Sequence, residues 1–229
     1  MCGIAGIVNL RGNPVEPAEI SRLTSLIAHR GPFGEGTWFN AKRNVAFGHR
    51  RLAIIDPGEG GYQPMVSGDG RHVIVYNGEI YNFLELRREL EAKGAVFRSQ
   101  SDTEVILAAW QAWGEDMLLR FNGMWALAIY DTATDELFLA RDRFGIKPML
   151  YALSSERFVF ASEQRALARS GLLETSLDID VARRLLLDPF GIEGSERTLY
   201  SQVRRLQGGH CMWLRQGRVQ VRRWWRTVD

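Results

Sequence analysis

Seven consecutive residues, Met124-Trp125-Ala126-Leu127-Ala128-Ile129-Tyr130, are apolar without a break and without alternation. A strand with one face in water must alternate polar with apolar side chains, so this run predicts a strand covered on both faces. A second run, Leu137-Phe138-Leu139-Ala140, answers it across a turn spanning Asp131 to Asp135, and the pair predicts a central hairpin between helical layers. The 229 residues, 45% of them hydrophobic, suffice to build such layers as one domain.

The other elements fit the same frame. Ile4 to Asn9 reads as a buried strand, and Pro17 to His29 carries Ile20, Leu23, Ile27 and Ala28 at helical spacing behind an early proline. Val45 to Phe47, Leu52 to Ile55 and Val73 to Tyr76 are short β-rich runs broken by glycine-rich turns and read as strands. Asn82 is placed to cap a helix whose Phe83, Leu86 and Leu90 share a face and whose stop is Gly94; Ser101 with Glu104 has capping-box spacing ahead of Ile106, Ala109, Trp110 and Trp113. Met149 to Leu153 and Phe158 to Ala161 read as strands, Glu163 to Arg169 and Ile179 to Leu187 as helices, and Cys211 to Leu214 with Val219 to Val221 as a last hairpin. Strands at the two ends with helices between them predict an α+β sandwich, sheets face to face and flanked by helices.

Charge narrows little. The 29 basic and 27 acidic side chains leave a formal +2, with no global field to attract nucleic acid or a membrane surface. Two cysteines, Cys2 and Cys211, and four histidines, His29, His49, His72 and His210, have no metal-binding spacing, so no structural metal is expected. The apolar N-terminus is too short for a signal peptide or a membrane span, which predicts a reduced, cytoplasmic protein.

Cys2 directly follows Met1. Removal of Met1 would leave a cysteine carrying a free α-amino group, which titrates near ~7.7–8.0 and is partly unprotonated at neutral pH. One residue would then hold both a thiol nucleophile and a base for its proton. Read alone, such a cysteine is more often a small buried hydrophobe opening a strand.

Other segments change that weighting: His29-Arg30-Gly31-Pro32, Gly48-His49-Arg50-Arg51-Leu52-Ala53-Ile54-Ile55-Asp56, Tyr76-Asn77-Gly78-Glu79-Ile80-Tyr81-Asn82 and Ser101-Asp102-Thr103-Glu104. With Cys2-Gly3-Ile4-Ala5-Gly6 in front, and Gly123 to Ala128 and Ala140 to Pro148 behind, this order resembles the class II glutamine amidotransferase domain, in particular that of the glutamine-hydrolysing asparagine synthetase family. The Asn-Gly-Glu-Ile-Tyr-Asn string discriminates that branch from the purine and glucosamine branches, and the resemblance covers essentially the whole chain. It implies the N-terminal-nucleophile hydrolase fold, a four-layer αββα sandwich, and hydrolysis of L-glutamine to glutamate and ammonia through a Cys2 thioester.

The same resemblance assigns roles. Asn77 and Gly78, which alone would read as a turn, become the two oxyanion donors, through the Asn77 amide and the Gly78 backbone N–H. Arg51, alone a surface charge like its neighbour Arg50, becomes the guanidinium that grips the substrate α-carboxylate. Glu79 and Asp102 become partners of the α-ammonium, although an acid in the first turn of a helix is stabilising anyway. The backbone of Leu52, Ala53, Ile54 and Ile55 becomes pocket wall. His29 and Arg30 are assigned to loop structure, since the amine replaces a histidine base; Phe33 stands where the family usually has an acid; and Arg141 with Asp142 reads as a structural ion pair.

Residues 1–203 are thus expected to form the glutaminase domain, and 204–229 its closing hairpin and the start of a linker to an absent synthetase domain. No Ser-Gly-Gly-x-Asp-Ser loop for ATP is present, so ATP and Mg are expected on that other domain and no cofactor on this chain. The arginine- and tryptophan-rich tail is read as seeking that partner, or a second copy of the chain, through Trp224 and Trp225, and not nucleic acid. A stand-alone subunit donating ammonia to a sugar or peptide acceptor, or a glutamine-sensing module, are the alternatives.

Overall fold

The computed structural model describes residues 1–192 and 194–227. Alternate residues of the central apolar run serve different layers. Strand β6 (Gly123–Asp131) turns Ala126, Ala128 and Tyr130 into one core and Trp125, Leu127 and Ile129 into another, and all six are buried. Its partner β7 (Glu136–Arg141) does the same with Leu137 and Leu139 against Phe138 and Ala140.

Two six-stranded sheets stack on each other. The first contains β1 (Gly3–Asn9), β2 (Gly34–Phe39), β3 (Val45–Arg51), β8 (Leu150–Leu153), β9 (Arg157–Ala161) and β10 (Arg204–Arg205), in the order β10-β8-β9-β1-β3-β2. The second contains β4 (Met65–Val66), β5 (His72–Ile80), β6, β7, β11 (His210–Arg215) and β12 (Arg218–Arg223), in the order β12-β11-β7-β6-β5-β4. Pairing is antiparallel in both sheets.

Three separate cores identify the layers. Ile4, Phe47, Phe158 and Phe160 of the first sheet meet Val73, Val75, Leu139 and Met212 of the second. Ile20 and Leu23 of α1 (Pro17–Ser25), with Ala166 and Leu167 of α5 (Gln164–Arg169), cover Ala5, Ile7, Ala46 and Val159 on the outside of the first sheet. Leu86 and Leu90 of α2 (Phe83–Ala92), Ile106 of α3 (Asp102–Trp113) and Met117 of α4 (Met117–Arg120) cover Ile74, Leu127 and Ile129 on the outside of the second. Three interfaces make four layers, the αββα sandwich. Helix α6 (Ile179–Leu187) sits at its margin with Val181 buried and Leu186 and Leu187 exposed. Within the first sheet, Gly6 of β1 stands opposite Phe160 of β9, where a Cβ would come within 2.2 Å of the Phe160 ring.

Several expectations need correction. Leu52 to Ile55 is not a strand: β3 ends at Arg51, and the Leu52 backbone turns toward Cys2 instead of a neighbouring strand. The edge strand β2 escapes sequence reading because Gly34-Glu35-Gly36 carries no apolar pattern. Helix α1 stops at Ser25, and Ala28–Arg30 forms a separate 3-10 turn. Asn82 does not cap α2 with its side chain but bridges Arg120 O and Asn122 N, tying α2 to the start of β6. Ser101 does cap α3 by accepting from Thr103 N, whereas Glu104 gives no capping box, its carboxylate being taken by the Arg98 and Ser99 N–H groups.

The tail is also different. Trp224 stacks on Trp125 with ring centroids 5.8 Å apart, and Trp225 lies under the Arg143 guanidinium at 4.4 Å. Both are tied by backbone N–H groups to Gly209 O, so the paired tryptophans are covered by their own sandwich and present no bare apolar end. Arg222 pairs with Glu115 and Arg215 with Glu136. The last two residues of the linker expected over 204–229 lie outside the described residues. Among the described residues no helix is long and apolar enough to cross a membrane.

Candidate active site

One end of the sandwich gathers the predicted site. The start of β1 brings Cys2, the end of β3 brings Arg51, the end of β5 brings Asn77, Gly78 and Glu79, and the first turn of α3 brings Asp102. With Leu52, Ile54 and Ile55 they line a cavity of about 200 Å³. Of the predicted residues, Ala53 is the one that the cavity wall does not include. Among the described residues no three His, Cys, Asp or Glu side chains come together in a way that could hold a metal ion.

The thiol is held by the loop that leaves β3. Leu52 N donates to Cys2 Sγ at 3.3 Å, and the thiol lies 3.5 Å from Leu52 O, where it donates in turn. Arg30 Nε donates to the Cys2 carbonyl at 3.0 Å while its other end pairs with Glu163. Burial pushes the Cys2 thiol above its ordinary range, opposed by the Leu52 hydrogen bond and by the charges of the N-terminus and Arg51. The amino group of Met1, beside it, is moved by burial in the opposite sense, below its ordinary value.

Asn77 is within strand β5, opposite Ala126, and not in a turn. It is 1% exposed, and its Nδ2 has no hydrogen-bond partner among the described residues. A buried amide left unpaired beside a cavity is costly unless a ligand completes it. Gly78 next to it faces Trp125, and a Cβ there would stand 2.3 Å from Met124 O, so the close approach of β6 requires glycine.

Arg51 is 4% exposed, so it is not the surface charge that the residue read alone would suggest. Nη1 donates to Gly58 O at 2.8 Å, Nη2 to Asp56 O, and the guanidinium sits 4.7 Å from the centre of the Tyr62 ring. It thus anchors the 56–58 loop from inside the cavity. Arg50 is not free either: it pairs with Glu35 and donates to Thr24 O. Asp102 accepts from Tyr76 Oη at 2.9 Å and Ile80 N at 3.1 Å, and burial raises its carboxyl against these bonds. Arg51→Ala is expected to raise the KM for glutamine by roughly 10- to 100-fold, the worth of hydrogen bonds to a charged group, with a much smaller change in kcat. Steady-state kinetics check this, and an unchanged KM would leave Arg51 as a loop anchor alone.

Sequence reading missed several wall residues that tertiary structure supplies, His49, Tyr76 and Lys147 among them. His49 is 1% exposed and donates from Nε2 to Tyr76 O at 3.3 Å, so it ties the nucleophile's sheet to the strand carrying Asn77. Burial lowers it to about 4, partly offset by that hydrogen bond, which keeps it neutral. Tyr76, expected as plain strand core, also reaches the cavity, and so does Lys147. His49 and Lys147 stood within recognised motifs, but nothing local marked them as pocket residues. His29 lies outside the wall and bonds Glu163 at 2.8 Å, as a loop residue would. Arg141 and Asp142 form no direct ion pair: Arg141 donates to the carbonyls of Gly145, Lys147 and Leu206, and Asp142 accepts from the N–H groups of Trp125, Phe144, Ile146 and Lys147. Phe33 is 66% exposed, with its N–H on Arg51 O.

The fold is a four-layer αββα sandwich with a cysteine at the mouth of a cavity at one end. The chain belongs to the glutamine amidotransferase domain family, whose model matches residues 1–225. It is 36% identical over 233 residues to asparagine synthetase (glutamine-hydrolysing) 3 of Bacillus subtilis, an alignment covering 98% of this chain and 36% of that protein. A putative glutamine-hydrolysing asparagine synthetase of Mycobacterium tuberculosis H37Rv is 40% identical over 226 residues, covering 91% of this chain and 34% of the relative. The chain thus spans about a third of the length of these relatives. Among solved structures, glutamine phosphoribosylpyrophosphate amidotransferase from B. subtilis superposes with a TM-score of 0.74 at 20% identity, over 100% of this chain and 50% of the other, a likeness of fold.

Proposed function

We propose that this domain hydrolyses L-glutamine to glutamate and ammonia through Cys2, as the glutaminase part of an asparagine synthetase. The observation that carries the reading is the unpartnered Asn77 amide buried in the same cavity as the Cys2 thiol. With Met1 removed, the thiol proton passes to the Cys2 amine as Sγ bonds the side-chain amide carbon. The carbonyl oxygen becomes an oxyanion between Asn77 Nδ2 and Gly78 N. Collapse of this intermediate breaks the C–N bond, and the amine returns its proton to the departing ammonia. Water then cleaves the thioester, releasing glutamate and restoring the thiol.

Arg51 faces the α-carboxylate, and Glu79 with Asp102 faces the α-ammonium; the opposed charges in one cavity support that polarity. The lengths and names of the relatives support transfer of the ammonia to a synthetase portion, where ATP and Mg would activate an acid acceptor. Both cysteines are free, and a thiol nucleophile works best in a reducing compartment, which supports the cytoplasm. Intact mass before and after treatment with an electrophilic glutamine analogue tests the core of this reading. A single adduct on a chain lacking Met1, blocked by excess glutamine, is expected; labelling of Cys211 in place of Cys2 would refute it.

A further inference from the structure

One buried contact in the cavity wall has no part in the chemistry above. Tyr76 is 2% exposed, and its phenol donates to Asp102 Oδ2 at 2.9 Å. Ile80 N donates to the same oxygen at 3.1 Å, which leaves Oδ1 for a ligand. Tyr76 is itself held at both backbone atoms: Gln63 Oε1 accepts its N–H at 2.6 Å, and its carbonyl accepts from His49 Nε2 at 3.3 Å. The other end of the Gln63 amide donates to Thr103 Oγ1 at 3.3 Å, so the strand bearing the phenol and the helix turn bearing the carboxylate are tied together independently of the phenol. Gln63, Tyr76, Asp102 and Thr103 all line the cavity.

Asp102 is 4% exposed, and no cation pairs with it among the described residues. Burial pushes its carboxyl up, the hydrogen bonds from Ile80, Tyr76 and the Thr103 backbone oppose this, and Glu79 adds to it. Burial and the charge of Asp102 push the Tyr76 phenol far up, so it remains a donor. An asparagine would accept from Tyr76 and Ile80 without burying a charge, so a structural tie does not account for the carboxylate. A cation arriving in the cavity does. We propose that Tyr76 is a positioning residue that determines specificity: by fixing Oδ2 it aims the Asp102 carboxylate at the α-ammonium of a free amino acid, and so makes the cavity select glutamine over the same amide without that group. This deepens the glutaminase reading and rests on it.

The probes are L-glutamine and glutaramate, which keeps the amide and the carboxylate and lacks the α-amino group. In Tyr76→Phe, loss of one hydrogen bond to a charged group should raise the KM for glutamine roughly tenfold with kcat changed less than about threefold. Because kcat/KM for glutaramate should stay within about twofold, the preference for glutamine over it falls by roughly tenfold. A general loosening of the wall would weaken both compounds alike and leave that ratio in place. In an Asp102→Asn background there is no carboxylate to aim, so adding Tyr76→Phe should leave the ratio where the asparagine set it. Should the single Tyr76→Phe variant fail to fold, that pair of variants still decides, a further fall in the ratio on adding Tyr76→Phe overturning the proposal. An unchanged ratio in a folded, active Tyr76→Phe variant overturns this inference alone. A wild-type chain that hydrolyses neither compound overturns the glutaminase reading, and this inference with it.

Discussion

Replacing Cys2 by alanine is expected to reduce glutamine hydrolysis by at least ~10³-fold while leaving the thermal midpoint nearly unchanged, because the substitution deletes the bond-forming atom and keeps a methyl-sized stem. The structure explains why the fold should tolerate it. The thiol is a half-buried group at the strand's mouth, whose contacts are two long hydrogen bonds to Leu52, at 3.3 and 3.5 Å. The Cys2 carbonyl stays held by Arg30, and the strand beyond it by the pairing of Gly3 with Arg50. Cys2→Ser should fail almost as completely. A hydroxyl is far less acidic than a thiol, and an α-amine is too weak a base to compensate. Hydrolysis within tenfold of wild type in the alanine variant would mean that another group attacks glutamine.

How far the sequence discloses this site depends on the distance over which each feature is decided. The layer count was legible because β6 and β7 bury both faces, and burial on both faces abolishes alternation within a few residues. Cys2, Asn77 and Asp102 are far apart in the chain, and local physics reads them as a core thiol, a turn and a helix start. Only the ordered motifs joined them, and the structure then brought them to one cavity. Features decided by packing alone stayed hidden. Lys147 becomes a cavity residue through Asp142 and Arg141, which hold its backbone, and His49 through a hydrogen bond across to the other sheet. Trp224 illustrates the opposite error: a tryptophan near the chain end looks unpartnered until the fold lays Trp125 against it.

That cross-sheet arrangement sets up the second large effect. Asn77→Ala is expected to lower kcat by roughly 10²–10³-fold with KM nearly unchanged, the signature of a donor that acts mainly on charge developing in the transition state. Three observations make the expectation specific. The Asn77 Nδ2 is buried without a partner, so no hydrogen bond to the protein is broken when it turns to an oxyanion. The residue is fixed in the ladder between β5 and β6, and His49 Nε2 holds the carbonyl of the preceding Tyr76, so the amide is positioned before substrate arrives. Gly78 beside it cannot take a Cβ without meeting Met124 O, which keeps the second donor, a backbone N–H, at a fixed place in the wall. Because the alanine variant loses an unsatisfied buried polar group, its folding stability should hold or rise slightly while its turnover collapses. Chemical denaturation and steady-state kinetics on the same preparation read both quantities. A variant that lost stability in proportion to activity would assign Asn77 to the scaffold, and one that lost KM instead of kcat would place it on the bound ground-state amide.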